Sequence, residues 1–239
     1  MSLTDWSHSS WPAYCRSMSE TMPLFPLGTV LYPGLVLPLH IFEDRYRQLV
    51  RDLMSGSEPR RFGVIAIRKG RETGVDGISA LYEIGCTATL RQVMQRDDGR
   101  FDLVTVGDQR FRLLGLGHSR PYLQGEIDLL AEETGDEAAA TLAVQAVQHA
   151  FRDYLDALAT QGAARVDVPD LPDEPVLLSY LVAASMVVDL SDRQVLLAEP
   201  DAGRRLVAER ALLTRETNML RRFTSTPATD LRSSPYNPN

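Results

Sequence analysis

The stretch Pro23-Leu-Phe-Pro-Leu-Gly-Thr-Val-Leu-Tyr-Pro-Gly-Leu-Val-Leu-Pro-Leu-His-Ile-Phe-Glu-Asp-Arg-Tyr46 decides how this chain is read. Pro23, Pro26, Pro33 and Pro38, with Gly28 and Gly34, cut it into short apolar pieces. Leu24-Phe25 and Val30-Leu31-Tyr32 read as strand pieces, and Pro33-Gly34 as the turn after them. Over 41–54 the pattern changes. Phe42, Tyr46, Leu49, Val50 and Leu53 recur at helical spacing, and Gly56 is a natural stop.

Outward from this stretch, more short strands are expected. The β-rich run 62–67 reads as a buried strand, and 68–77 as a loop rich in glycine and charge. Ile84, Cys86, Ala88 and Leu90 alternate with smaller or polar residues, which predicts a half-buried strand. Asp97-Asp98-Gly99 is a hairpin signal leading into a strand at 101–106. Gly107-Asp108-Gln109 reads as a second turn before 110–114, and 122–127 as a further strand. Many short strands joined by tight turns favour a small closed barrel over a parallel sheet.

The character changes near Thr134-Gly135-Asp136. Val144, Val147, Phe151, Tyr154, Leu155 and Leu158 form a helical stripe. After a loop at 162–172, Asp173 is expected to cap a helix over 176–188 with Pro175 in its first turn. Ser191 and Gln194 match a capping box, and Asp201 caps a last helix in which Leu206, Leu213 and Leu220 recur at sevens. The expected organisation is α+β: a disordered leader at 1–21, a barrel with one helix at 22–133, a helical bundle at 134–223 and a disordered tail at 224–239. Met22, just before the decisive stretch, is a candidate initiator.

Composition limits the function classes. The chain has 239 residues and a net charge of −7, which argues against a surface built to neutralise phosphates. Of 25 basic residues, one is lysine (Lys69), leaving 25 − 1 = 24 arginines. The two cysteines, Cys15 and Cys86, make no disulfide framework and suit a reducing compartment. No apolar run reaches membrane-spanning length, and the first twenty residues lack the pattern of a signal peptide.

The decisive stretch resembles the opening of the substrate-binding N-terminal domain of Lon-type proteases, and the resemblance extends over about 22–222. Two further blocks carry it: Asp98-Gly99 followed by Gly107-Asp108-Gln109-Arg110-Phe111, and the helical pair Leu190-Ser-Asp-Arg-Gln-Val-Leu-Leu197 with Ala202-Gly-Arg-Arg-Leu206. The resemblance implies a PUA-like β-barrel with an attached helical bundle. It also implies a cytoplasmic module that recognises unfolded or degron-bearing polypeptides, with a protease or chaperone as a further partner. The His40–Tyr46 segment is closer to stand-alone bacterial members. A Gly-x-x-x-x-Gly-Lys-[Ser/Thr] loop is missing from the sequence, and one lysine cannot serve both a nucleotide loop and a Ser-Lys dyad. A non-catalytic module without cofactor is therefore expected.

Individual residues have two readings each. His40 and Glu43, three apart, suggest two metal ligands on one helical turn, but no third ligand has sensible spacing; the plainer reading has His40 bonding backbone. Arg45 and Arg110 read as structural ion pairs or as rim contacts to a partner. Ser185 and Cys86 read as core, with no nucleophile elbow around either. Tyr32, Pro33, Leu35, Phe42 and Tyr46 form an apolar-aromatic cluster in which Tyr32 and Leu35, beside the Pro-Gly turn, are the expected exposed patch, whereas Phe42 and Tyr46 read as core. The peptide-binding candidates are thus Tyr32, Pro33, Leu35, His40, Phe42, Arg45 and Arg110. Two rival readings stand beside polypeptide recognition: an RNA-binding PUA-like barrel, and a small-molecule-binding or hydrolytic protein.

Overall fold

Pro26 sits near the end of the first strand, β1 (Glu20–Leu27), and Gly28 follows it. At Pro33-Gly34 the chain turns, with Gly34 at φ +79 and the Leu35 amide donating to the Tyr32 carbonyl (3.3 Å). Proline at the second position and a left-handed glycine at the third are what a type II turn demands. The computed structural model describes residues 19–72, 78–133, 135–161 and 170–224. The expected loops at 68–77 and 162–172 therefore fall partly outside it, as do most of the expected leader and all of the tail except Thr224. Residues 20 and 21, assigned to that leader, belong to β1.

The expected strand at Val30–Leu31–Tyr32 is not one. Its side chains are buried, so its apolar character reflects packing rather than pairing. The strand lies further on, at β2 (Val36–Ile41). Pro38 lies within it; β2 pairs only with β6 (Phe101–Gly117), and an edge strand tolerates a proline. Helix α1 (Asp44–Ser55) starts three residues later than its apolar spacing suggests, with Glu43 in extended backbone as N-cap and Gly56 closing it as expected. Strands β3 (Arg61–Gly70), β4 (Ile78–Leu81), β5 (Ile84–Gln95) and β7 (Gln124–Leu129) complete the sheet.

Going round the sheet, the order is β1-β7-β6-β5-β3, and β1 pairs in parallel with β3 to close it. β2 hangs on β6 and β4 on β3. The α+β architecture with a closed barrel is thus the observed one. Leu24, Ile65, Phe111 and Ile127 pack together on one face of its strands, and Tyr46, Leu49 and Val50 of α1 pack with Phe25, Ile41, Phe62 and Phe101 on the other. The first half of β5 is buried on both faces instead of one: Cys86 and Ala88 pack in the cluster that holds α1, the Phe111 ring lies against Gly85 on the other face, and the Gln194 amide of a later helix donates to the Ile84 carbonyl (2.7 Å).

The turn expected at Gly107-Asp108-Gln109 is absent; β6 runs through it unbroken. Thr87 of β5 faces both Asp108 and Gln109, a β-bulge. Its hydroxyl accepts from the Gln109 amide (3.0 Å) and donates to the Gln109 carbonyl (3.1 Å), so the extra residue keeps its bonds. Gly107 itself is clasped by the turn: its amide donates to the Leu35 carbonyl (2.8 Å) and its carbonyl accepts from the Gly34 amide (2.9 Å). A Cβ here would lie 2.2 Å from the Tyr32 carbonyl oxygen. Glycine is required by close approach of backbone, not by a turn.

The helices are α2 (Glu137–Thr160), α3 (Pro175–Ser185), α4 (Leu190–Ala198) and α5 (Ala202–Thr224). Asp136 caps α2 through the Ala138 amide, and Asp201 accepts from the Arg204 amide (3.0 Å) at the start of α5. Two expected caps differ. Glu174, not Asp173, accepts from the Val176 and Leu177 amides, and α3 ends at Ser185. Ser191 lies inside α4, and Gln194 reaches the barrel instead of capping. Ser185 is exposed, bonded only to the Leu181 carbonyl, and not core. Among the described residues no helix is long and apolar enough to cross a membrane.

Barrel and helices meet over a polar core. Arg110, just past the bulge, is fully buried. It donates to Glu132 (2.5 Å) and to the carbonyls of Ala131, Leu197 and Glu199. Arg205 of α5, equally buried, donates to Ser179, the Glu199 carbonyl and Glu132, and lies 4.0 Å over the Tyr180 ring. Arg110 is therefore a structural ion pair, closed to any partner. Glu209, one turn after Arg205, is also buried, and neither carboxyl oxygen accepts a hydrogen bond from a described residue. Burial pushes its carboxyl well above the ordinary range, against the nearby Arg205.

Replacing Arg110 with Ala removes one of the two guanidinium partners of Glu132 and the side-chain donor to the Leu197 and Ala131 carbonyls, and should cost about 3–5 kcal/mol in urea unfolding. Glu209 gives a pH signature. Its folded pKa is raised, so its favourable contribution is complete below the unfolded value near 4.5 and is lost as pH rises from there toward the folded value. The unfolding free energy should fall over that range by up to about 1.4 kcal/mol per pH unit. Glu209→Gln should remove that slope; matching slopes in the two proteins would refute the assignment.

Candidate functional site

The corner between β2 and α1 is built by a change of backbone. Ile41, the last residue of β2, is buried against α1, and Glu43 is extended because the helix has not begun. Phe42, caught between them, belongs to neither apolar face and stands 52% exposed. Large apolar side chains exposed singly are ordinary on a protein surface; Phe42 is set apart by the cleft it borders.

Phe42 forms one rim of a cleft of about 110 Å³. Phe25, Leu27, Leu39 and Tyr46 line it, with Glu43 and Glu72 at its polar end. The Phe25 and Tyr46 rings stack with centroids 4.1 Å apart, which makes a rigid floor. The volume is well below the roughly 300–1,000 Å³ of small-molecule sites. It suits one inserted side chain.

The charged groups around it are already paired. Arg45 donates to Glu43 through Nε (3.0 Å) and Nη2 (2.9 Å), lies 4.5 Å over the Tyr46 ring and donates to the Glu72 carbonyl (3.1 Å). Burial raises the Tyr46 hydroxyl to about 12, with Arg45 opposing and Glu43 and Glu72 reinforcing the shift. It stays a neutral phenol at any physiological pH. His40 stacks beside Phe42 (centroids 6.3 Å apart) and bonds the Asp102 carboxylate, not backbone (2.7 Å). That bond, and the one from Arg96, hold Asp102 below the usual carboxylate range.

The structure thus brings together His40, Phe42 and Arg45 of the candidates read from sequence. It does not bring Tyr32, Pro33, Leu35 or Arg110 to them. Tyr32 is 1% exposed; its hydroxyl donates to the Arg193 carbonyl (2.9 Å) and its ring packs on Tyr180. Pro33 and Leu35 are half-buried, with Leu35 packed between the barrel and helical cores. The expected exposure is inverted: Tyr32 is core and Phe42 is surface. Tyr46, read as core, is core that also floors the cleft. Phe25 and Leu39 were hidden in strand patterns, and Glu72 has no sequence signal. His40 and Glu43 do not share a helical turn, since His40 is in β2. Among the described residues no group of three or more His, Cys, Asp or Glu could hold a metal. Cys86 is buried and its thiol is pushed up by that burial, opposite to an activated nucleophile.

A small closed barrel, a helical cap and an aromatic cleft make the class of a barrel-plus-bundle module. The family model for the ATP-dependent protease La (LON) substrate-binding domain matches residues 21–215, and the chain belongs to that family. Lon protease 2 of Myxococcus xanthus is 26% identical over 208 residues, covering 86% of this chain and 25% of that protein. The Lon protease of Escherichia coli (strain K12) is 24% identical over 206 residues, covering 86% of this chain and 26% of its own. The chain spans about a quarter of the length of these curated relatives. Among solved structures, the Lon N-terminal domain protein from Xanthomonas campestris aligns with TM-score 0.53 and 25% identity, over 82% of this chain and 98% of that one. The N-terminal domain of the Mycobacterium avium complex Lon protease aligns with TM-score 0.58 over 83% and 98%; at 17% identity this is a likeness of fold.

Because Phe42 contributes little buried area and Tyr46 much, the two separate surface from core. Phe42→Ala should leave thermal stability within about 0.5 kcal/mol of wild type, whereas Tyr46→Ala should cost about 3–5 kcal/mol, both read by chemical denaturation.

Proposed function

We propose that this chain is a non-catalytic polypeptide-recognition module, docking apolar segments of unfolded or degron-bearing proteins at the Phe42 cleft. The observation that carries the reading is an exposed Phe42 over a rigid Phe25–Tyr46 floor, in a family described as substrate-binding. Apolar side chains leave water when they enter such a cleft, and an aromatic anchor at its rim supplies the contact area. The module acts in the cytoplasm without ATP, as an adaptor that passes its clients to a protease or chaperone. A net charge of −7 weakens the RNA-binding alternative, because phosphate contacts need clustered cations.

The experiment is fluorescence anisotropy with labelled reduced, carboxymethylated α-lactalbumin, a permanently unfolded protein, in the absence of nucleotide. Wild type should bind, and Phe42→Ala should bind at least about tenfold more weakly, as expected of an aromatic anchor. A Tyr32→Phe variant, altered only in the buried junction, should bind like wild type. Equal affinity of wild type and Phe42→Ala would remove the cleft from the reading.

A further inference from the structure

We propose that Glu72 is an intrinsic plug of the Phe42 cleft, holding a main-chain donor that a bound polypeptide takes over. The inference rests on the polypeptide reading of this cleft. β1 makes its last pairing with β3 at Leu27–Ala66. The next amide, on Gly28, is therefore past the ladder, exposed and free to take an acceptor other than a strand carbonyl. It donates to the Glu72 carboxylate. The main chain of Glu72 is tied to the opposite wall, where its carbonyl accepts from Arg45 (3.1 Å). Glu72 thus bridges the end of β1 and the start of α1, across the cleft they flank.

Three features make this contact replaceable rather than architectural. Both Gly28 and Glu72 are exposed, so water solvates the carboxylate equally well once it leaves, and the bond adds little to stability. Among the described residues the carboxylate forms no ion pair, and Arg45 is matched by Glu43. Gly28 carries no side chain, and a Cβ there would lie 2.7 Å from Glu72 Oε1; the approach to its amide is open to another acceptor of similar size.

The occupant is an extended polypeptide segment. Its large apolar side chain enters between Phe42 and Tyr46, and its adjacent main-chain carbonyl takes the Gly28 amide when Glu72 swings out. A carbonyl is the same kind of acceptor at lower charge, and every peptide unit supplies one, so this contact selects for exposed backbone and not for sequence. A folded protein, whose carbonyls are already paired, cannot offer both groups. The plug then sets a threshold: only a segment presenting an apolar side chain and a free carbonyl together displaces it.

The test uses labelled carboxymethylated α-lactalbumin with wild type, Glu72→Ala, Glu72→Gln and Phe42→Ala. Freed of the competing carboxylate, Glu72→Ala should bind about threefold to tenfold more tightly than wild type, with Glu72→Gln between the two. By NMR, the Gly28 amide of Glu72→Ala should exchange faster than in wild type when alone, and regain protection when the unfolded protein is added. Equal or weaker binding by Glu72→Ala, with Phe42→Ala still impaired, overturns the plug and leaves the cleft reading standing. Wild-type affinity in Phe42→Ala overturns the cleft reading and the plug with it.

Discussion

Two guanidinium groups buried around one carboxylate hold this molecule together. Arg110 belongs to the barrel and Arg205 to the last helix, and both donate to Glu132 in the segment connecting them. Charges are left in a protein interior only when their donors are used, and here they are used on backbone as well. Arg110 reaches the Leu197 and Glu199 carbonyls and Arg205 reaches the same Glu199 carbonyl, so the end of α4 is terminated by cations from two other elements. The helices are seated by hydrogen bonds with fixed directions, around an apolar cluster in which Val30, Tyr32, Ala66 and Ile84 of the barrel part mix with helical leucines and valines.

This seat depends on the bulge in β6. A regular strand would carry Arg110 in strict alternation, but Thr87 opposes two residues and resets the path just before it. The consequence is that Arg110 takes the buried face that Phe101, Leu103 and Thr105 hold before the bulge, while Phe111 on the other face is buried among Leu24, Ile65 and Ile127. Gly107, immediately before the bulge, lets the Tyr32–Leu35 turn lie directly on β6. Turn, bulge and buried arginine are one device, and they fix where β2 starts and hence where its corner with α1 falls.

Much of this was legible in the sequence, and the failures share a cause. Periodicity located the helices, the Asp98-Gly99 hairpin and the α+β order, because those signals are local. It misread Gly107-Asp108-Gln109, which has turn chemistry but is spent on a long-range backbone contact. It misread Val30–Tyr32 as a strand because burial against distant helices and burial by pairing leave the same apolar letters. The exchange of Tyr32 for Phe42 as surface aromatic has the same origin: a three-residue delay in starting α1 takes Phe42 off the helical face, and no residue type marks it. Glu72 is recognisable only once β1 and α1 are seen to flank it.

Closure of the barrel through its first strand has a consequence for how the protein is made. β1 pairs with residues 63–66 in parallel and with 124–127 antiparallel, so its partners emerge from the ribosome long after it does. Non-local pairings of this kind form slowly, and until they form their apolar strands are open to solvent. A nascent chain halted before β7 has Met22 and Leu24 without Ile127 beside them, and the first strand without one of its two partners. During synthesis the protein passes through a state that quality-control machinery would take for a client.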